Sequence, residues 1–89
     1  MDYQYPISHD WTTEEVISVI NFYEAIERVY EKGVQKSELL AAYRKFKEVV
    51  PGKADEKKLG DQFEKVSGYS LYQAIKKMKN TQEDTMIKL

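Results

Sequence analysis

Acid–base chemistry near neutrality would fall first to the single histidine, His9, which stands beside Asp10 and Trp11. A zinc or iron centre needs several His, Cys or carboxylate ligands converging on one ion. With one imidazole and no cysteine the chain lacks the usual nitrogen and sulfur donors, so no metal is expected. Metal phosphohydrolases share a His-Asp pair, but their further histidines are missing here, and His9 reads as a solvent-facing or cap-adjacent residue. Carboxylates occur in pairs suited to general acid–base work if their environments differ: Glu14 with Glu15, Glu24 with Glu27, Asp55 with Glu56. All of them fall at helix starts or on polar helix faces, and those at helix starts are already favoured by the helix dipole.

Nucleophilic catalysis needs a serine or threonine held against a base, and neither Gly-x-Ser-x-Gly nor Ser-x-x-Lys occurs; Ser37-Glu38 simply opens a helix. The four glycines, Gly33, Gly52, Gly60 and Gly68, are scattered as punctuation and never cluster into a phosphate-binding loop. No cofactor is expected, and an enzyme is the least expected reading. Nucleic-acid binding is the alternative to protein binding, since Leu59 to Lys79 has a helix-turn-helix outline presenting Tyr72, Gln73, Lys76 and Lys77, with Arg44, Lys45 and Lys47 nearby in type. Two positions oppose it. Glu64 stands where a small apolar residue should let the helices cross, and Ala74 where a branched one is usual.

Seven tyrosines and one tryptophan remain as the distinctive feature, and such rings suit both core margins and protein interfaces. Tyr23, Tyr30 and Tyr43 fall on apolar stripes. Tyr3, Tyr5, Tyr69 and Tyr72 do not, and they form the candidate interaction surface, for an unknown protein partner or a homodimer. Tyr3, Tyr5 and Ile7 alternate along an extended strap whose rings point one way; it either covers the core or engages a partner.

The elements that position these rings are helices. Thr12 and Glu15 make a capping box, with Trp11 placed to staple onto Val16. Val16, Val19, Ile20, Tyr23, Ile26, Val29 and Tyr30 then recur at helical spacing until Gly33. Leu39, Tyr43, Phe46 and Val50, broadened by Leu40 and Ala42, give a second helix stopped by Pro51. Leu59, Phe63 and Val66 give a weaker third one, interrupted by Gly60, and Leu71, Ala74, Ile75 and Met78 a fourth opened by Ser70. The pattern predicts an all-α fold: a small single-domain bundle or irregular array of about four helices over residues 1–80. Within it lie a strap over 1–11 and helices over 13–32, 36–50, 55–67 and 71–79. Residues 81–89 have no sustained pattern and are expected to fray.

At 89 residues there is room for one domain, and with 42% hydrophobic and 33% charged residues the chain has the apolar content to fold unaided. The absence of cysteine suits a reducing compartment, and no stretch approaches the roughly 18–20 apolar residues of a membrane span, so a cytoplasmic location without membrane contact is expected. The net charge of −1 conceals a division: seven acids against Arg28 alone in residues 1–31, a balance of −6, and twelve Lys or Arg against six acids in residues 32–79, a balance of +6. Either an acidic first helix packs on basic later ones, or the basic part faces a polyanion.

Five segments together carry a resemblance: Tyr3-Gln4-Tyr5-Pro6-Ile7, Asp10-Trp11-Thr12-Thr13-Glu14-Glu15, Ile20-Asn21-Phe22-Tyr23, Tyr30-Glu31-Lys32-Gly33 and Val66-Ser67-Gly68-Tyr69-Ser70. Over about Tyr3 to Lys79 the chain resembles the YktA-like family, an uncharacterised protein family catalogued as 0223, of Bacillus-like Gram-positive bacteria. The resemblance implies a compact helical cytosolic protein and brings no activity, ligand or site residues with it. It also implies an aspartate cap where this chain has Gln35, so the second helix is expected to start less firmly. A non-enzymatic protein-interaction or self-association module is the reading that these residues leave in front.

Overall fold

The Thr12 hydroxyl accepts from the Glu15 backbone N–H at 3.2 Å, and the Glu15 carboxylate accepts from the Thr12 N–H at 2.8 Å. This reciprocal box satisfies two helix-end donors and starts α1, Thr13–Glu31. The computed structural model describes residues 3–89; Met1 and Asp2, the first two strap residues, lie outside the described residues. After α1 come β1 (Val34–Gln35), α2 (Lys36–Val49), α3 (Lys53–Ser67), α4 (Leu71–Asn80) and β2 (Met86–Ile87). The protein is therefore an all-α bundle of four helices with an extended N-terminal strap and one minimal strand pair. Helix α3 starts two residues earlier than its acids suggest, because Asp55 and Glu56 occupy its first turn and leave Gly52 as the cap.

Helices α1 and α2 form the principal packed pair, and α4 packs on both. The centre is aromatic. Phe22 stacks on Phe46 with centroids 4.5 Å apart, and Tyr23 lies nearly parallel to Phe63 at 4.8 Å and 7°. Neither Phe22 nor Ala25 belongs to the stripe read from spacing, yet both are fully buried, whereas Val16 and Ile20 are only half-buried. α1 is covered by α2 on one side and by the strap, α3 and α4 on the other, so its buried arc is wider than a one-sided stripe. In α3 the buried line runs Phe63 to Ser67, and Val66 turns outward at 41% exposure. Ser67 is tolerated inside because its hydroxyl donates to the Phe63 carbonyl at 2.7 Å and accepts from the Tyr69 N–H at 3.1 Å.

The largest departure from the sequence pattern is the tail, which is docked on the bundle. Val34 pairs with Ile87 and Gln35 with Met86 in antiparallel register. Ile87 is fully buried, and the Leu89 N–H donates to the Val29 carbonyl at 2.8 Å. Two residues are too few for the alternation that marks a strand, which is why none was expected. The same segment caps α2. Gln35 makes no side-chain cap, but the Asp84 carboxylate accepts from the Ser37 N–H at 3.0 Å and the Thr85 carbonyl from the Lys36 N–H at 2.9 Å. An aspartate thus does cap this helix, delivered from 47 residues away.

Gly33 makes the tail's approach feasible. Its φ of +92° is the left-handed conformation that follows a helix end, and a Cβ there would lie 2.8 Å from Met86 Cγ and 2.9 Å from its Sδ. Gly33→Ala is expected to lower the unfolding free energy by about 1–2 kcal/mol from backbone strain, while the exposed, flexible Met86 side chain moves aside at little further cost. Urea unfolding checks this, and an unchanged midpoint would contradict the left-handed backbone at Gly33.

Candidate interaction surface

The four tyrosines outside the stripes are divided by the fold into a set of three and a single ring. Tyr3 and Tyr5 lie along the strap against α1, their rings edge-to-face at 5.8 Å, and both hydroxyls donate to the Glu27 carboxylate, Tyr5 at 2.7 Å. Tyr5 also reaches the core rings, 5.4 Å from Tyr23. The buried Tyr23 hydroxyl returns the contact by donating to the Pro6 carbonyl at 2.9 Å. Tyr69, at the α3–α4 turn, stacks on Tyr30 at 4.7 Å and 2° and donates to Glu31 at 3.0 Å. Tyr30 in turn donates to the Ser70 carbonyl at 2.5 Å. Tyr3, Tyr5 and Tyr69 are thus half-buried and hydrogen-bonded to one acidic edge of α1, holding strap and turn in place.

These phenols are correspondingly hard to ionise. Burial first, then the hydrogen bond and the negative charge of Glu27, push Tyr3 and Tyr5 far above the ordinary phenol range. The hydrogen bond to Glu31 raises Tyr69, burial raises Tyr23 and Tyr30, and burial together with Glu56 pushes Tyr43 up to about 12. A group whose folded pKa exceeds its unfolded value contributes stability that is whole below the unfolded value, about 10 for a phenol. That contribution is lost as pH rises through the folded values. The urea midpoint is therefore expected to fall above about pH 10, with tyrosinate absorbance rising mainly as the protein unfolds. Titration of these phenols near the free value in a fully folded protein would contradict the arrangement.

Tyr72 stands apart. It projects from α4 with 68% of its surface exposed, at the edge of a groove of about 950 Å³ between α3 and α4. The groove's apolar part is Gly60, Leu71, Ile75 and the ring of Tyr43. A Cβ at Gly60 would meet the Leu71 side chain at 3.6 Å, an ordinary packing distance, so the approach of α3 to α4 does not itself demand glycine there. Four lysines stand round the groove. Lys57 is held by Asp61 at 2.9 Å, whereas Lys53, Lys76 and Lys79 make no ion pair among the described residues. Lys79 lies 5.7 Å from the Tyr43 ring centroid. Glu56 is engaged by Lys47 at 2.6 Å, leaving Glu64 as the unpaired acid of the lining.

His9 is exposed on the rim of a separate shallow cleft with Ile7, Ile20, Gln62 and Val66, whose lining holds no carboxylate, lysine or arginine. Among the described residues no three His, Asp or Glu side chains converge in a metal-holding cluster, and no helix is long and apolar enough to cross a membrane.

Residues 2–87 match the uncharacterised protein family UPF0223. The chain belongs to that family. Among UPF0223 proteins, one from Bacillus cytotoxicus is 55% identical over 89 residues, covering 100% of both chains. Another from Bacillus pumilus is 53% identical over the same span, and YktA of Bacillus subtilis is 54% identical over 81 residues, 91% of this chain and 92% of that one. The UPF0223 match continues through the docked tail to residue 87 rather than stopping near Lys79. Sequence spacing named Tyr72 in this UPF0223 chain but missed the groove beside it. Leu71 and Ile75 read as core and are buried, and only the packing of α3 on α4 shows that their edges line the groove floor.

Proposed function

We propose that this chain is a non-enzymatic cytoplasmic protein-interaction module that binds through the α3–α4 groove. The observation that carries the proposal is Tyr72, a large ring left 68% exposed over an apolar groove while the other six tyrosines are half-buried or buried. Tyrosines of this kind, amphipathic and stiff, are among the residues that dominate protein interfaces. The three unpaired lysines at the rim favour a partner carrying acids beside an apolar ridge. The separation of His9 from any convergent acid or base speaks for binding rather than catalysis.

A photo-crosslinking phenylalanine derivative in place of Tyr72, expressed in cells of a related bacterium, tests the reading. Covalent adducts to protein that disappear when Lys76 and Lys79 are changed to glutamate are the expected result. Adducts to nucleic acid alone, or none at all, would overturn it.

A further inference from the structure

We infer that the groove's occupant is the outer face of α1 from a second copy of this chain, so that the protein associates face to groove with itself. The inference rests on the reading of the α3–α4 groove as a docking surface and names what docks there.

The outer face of α1 is unusual in being acidic with an exposed isoleucine at its middle. Ile17 is 53% exposed, and the residues sharing its line on the helix, at i−3, i+4 and i+7, are Glu14, Asn21 and Glu24, all exposed. Neither Glu14 nor Glu24 has an ion-pair partner among the described residues. Among the described residues nothing in the same copy covers Ile17 or pairs with Glu14 or Glu24. The groove is its complement: the exposed ring of Tyr72 above the edges of the buried Leu71 and Ile75, flanked by Lys53, Lys76 and Lys79, which make no ion pair among the described residues. The lengths agree as well. From Glu14 to Glu24 a helix rises about 15 Å, the length of the ten-residue α4.

This contact accounts for the division of charge along the chain. Within one molecule the acids of α1 are only partly answered: tyrosine hydroxyls donate to Glu27 and Glu31, while Arg28, the one basic residue of the helix, pairs with Glu38 of α2. The free acids and the free lysines meet when Ile17 of one copy seats beside Tyr72 of the next. The contact is heterologous, joining two different patches. It differs from a symmetric contact of either patch with itself, which would oppose like charges.

Charge reversal on each side tests the inference by sedimentation equilibrium. Wild type is expected to self-associate, and to do so more weakly as salt rises. The pair Glu14→Lys with Glu24→Lys, and separately Lys76→Glu with Lys79→Glu, should each weaken association by roughly tenfold or more. An equimolar mixture of the two variants should restore it, because every α1 face then finds a groove of opposite charge. All four substitutions in one chain should restore it too. Circular dichroism confirms that each variant is folded, and the milder Lys76→Gln with Lys79→Gln gives an intermediate loss if reversal unfolds the chain. A wild type that is monomeric at all concentrations, or a mixture that stays monomeric, overturns the inference. If position 72 then crosslinks a different protein, the groove reading stands and only self-association fails.

Discussion

Replacing Phe22 with alanine is expected to remove about 3–5 kcal/mol of unfolding free energy, the usual cost of deleting a buried aromatic ring. A domain of 89 residues has only about 4–13 kcal/mol in total, so the variant sits at the edge of unfolding. Phe22 is fully buried, stacked at 4.5 Å on Phe46 and within 5.6 Å of Tyr43. Its loss leaves a cavity between α1 and α2, the two helices that pack most extensively. The melting temperature should drop by roughly 12 °C or more. Ile17→Ala, five residues earlier on the same helix but outside, should change stability by no more than about 0.5 kcal/mol. Equal effects at the two positions would show that α1 is rotated relative to the structure described above.

The contrast between those two residues shows where sequence reasoning is strong and where it stops. The capping box at Thr12, the stripe of α4 and the turns at Gly33 and Gly68 are local, each depending on side chains within a few positions, and local rules find them. Phe22 is buried because α1 is covered from more than one side, and a main cover, Phe46 of α2, lies far along the chain. The tyrosines divide the same way. Spacing separates Tyr23, Tyr30 and Tyr43 from Tyr3, Tyr5, Tyr69 and Tyr72, but no spacing rule says that Tyr3 and Tyr5 share Glu27, or that Tyr69 reaches Glu31, 38 residues away. Only Tyr72 is left without an internal role. The groove beside it is a property of two packed helices, invisible to either alone.

Ending the chain at Asn80 is expected to cost roughly 4 kcal/mol or more, the second large effect, even though the segment removed has no sequence pattern. The sum has distinct parts. Ile87 is fully buried, and losing a branched aliphatic side chain from a core costs about 2–5 kcal/mol. Asp84 caps α2, a contribution of about 0.5–2 kcal/mol. Removing β2 also breaks the strand pair and uncovers Val34, which is 3% exposed in the intact chain. Single substitutions separate these parts. Ile87→Ala should carry the core share, Asp84→Ala the cap share, and Asp84→Asn almost none, since asparagine also accepts the Ser37 N–H. Met86→Ala, with 56% of Met86 already exposed, should be nearly silent. Hydrogen exchange gives an independent measure, because the Lys36 and Leu89 amides donate to Thr85 and Val29 and should be protected in the full chain. A shortened chain that melts with the intact one, or fast exchange at those two amides, would mean that the tail does not hold α2. The cap that the helix needs would then have to come from Gln35, which makes no such bond in the structure.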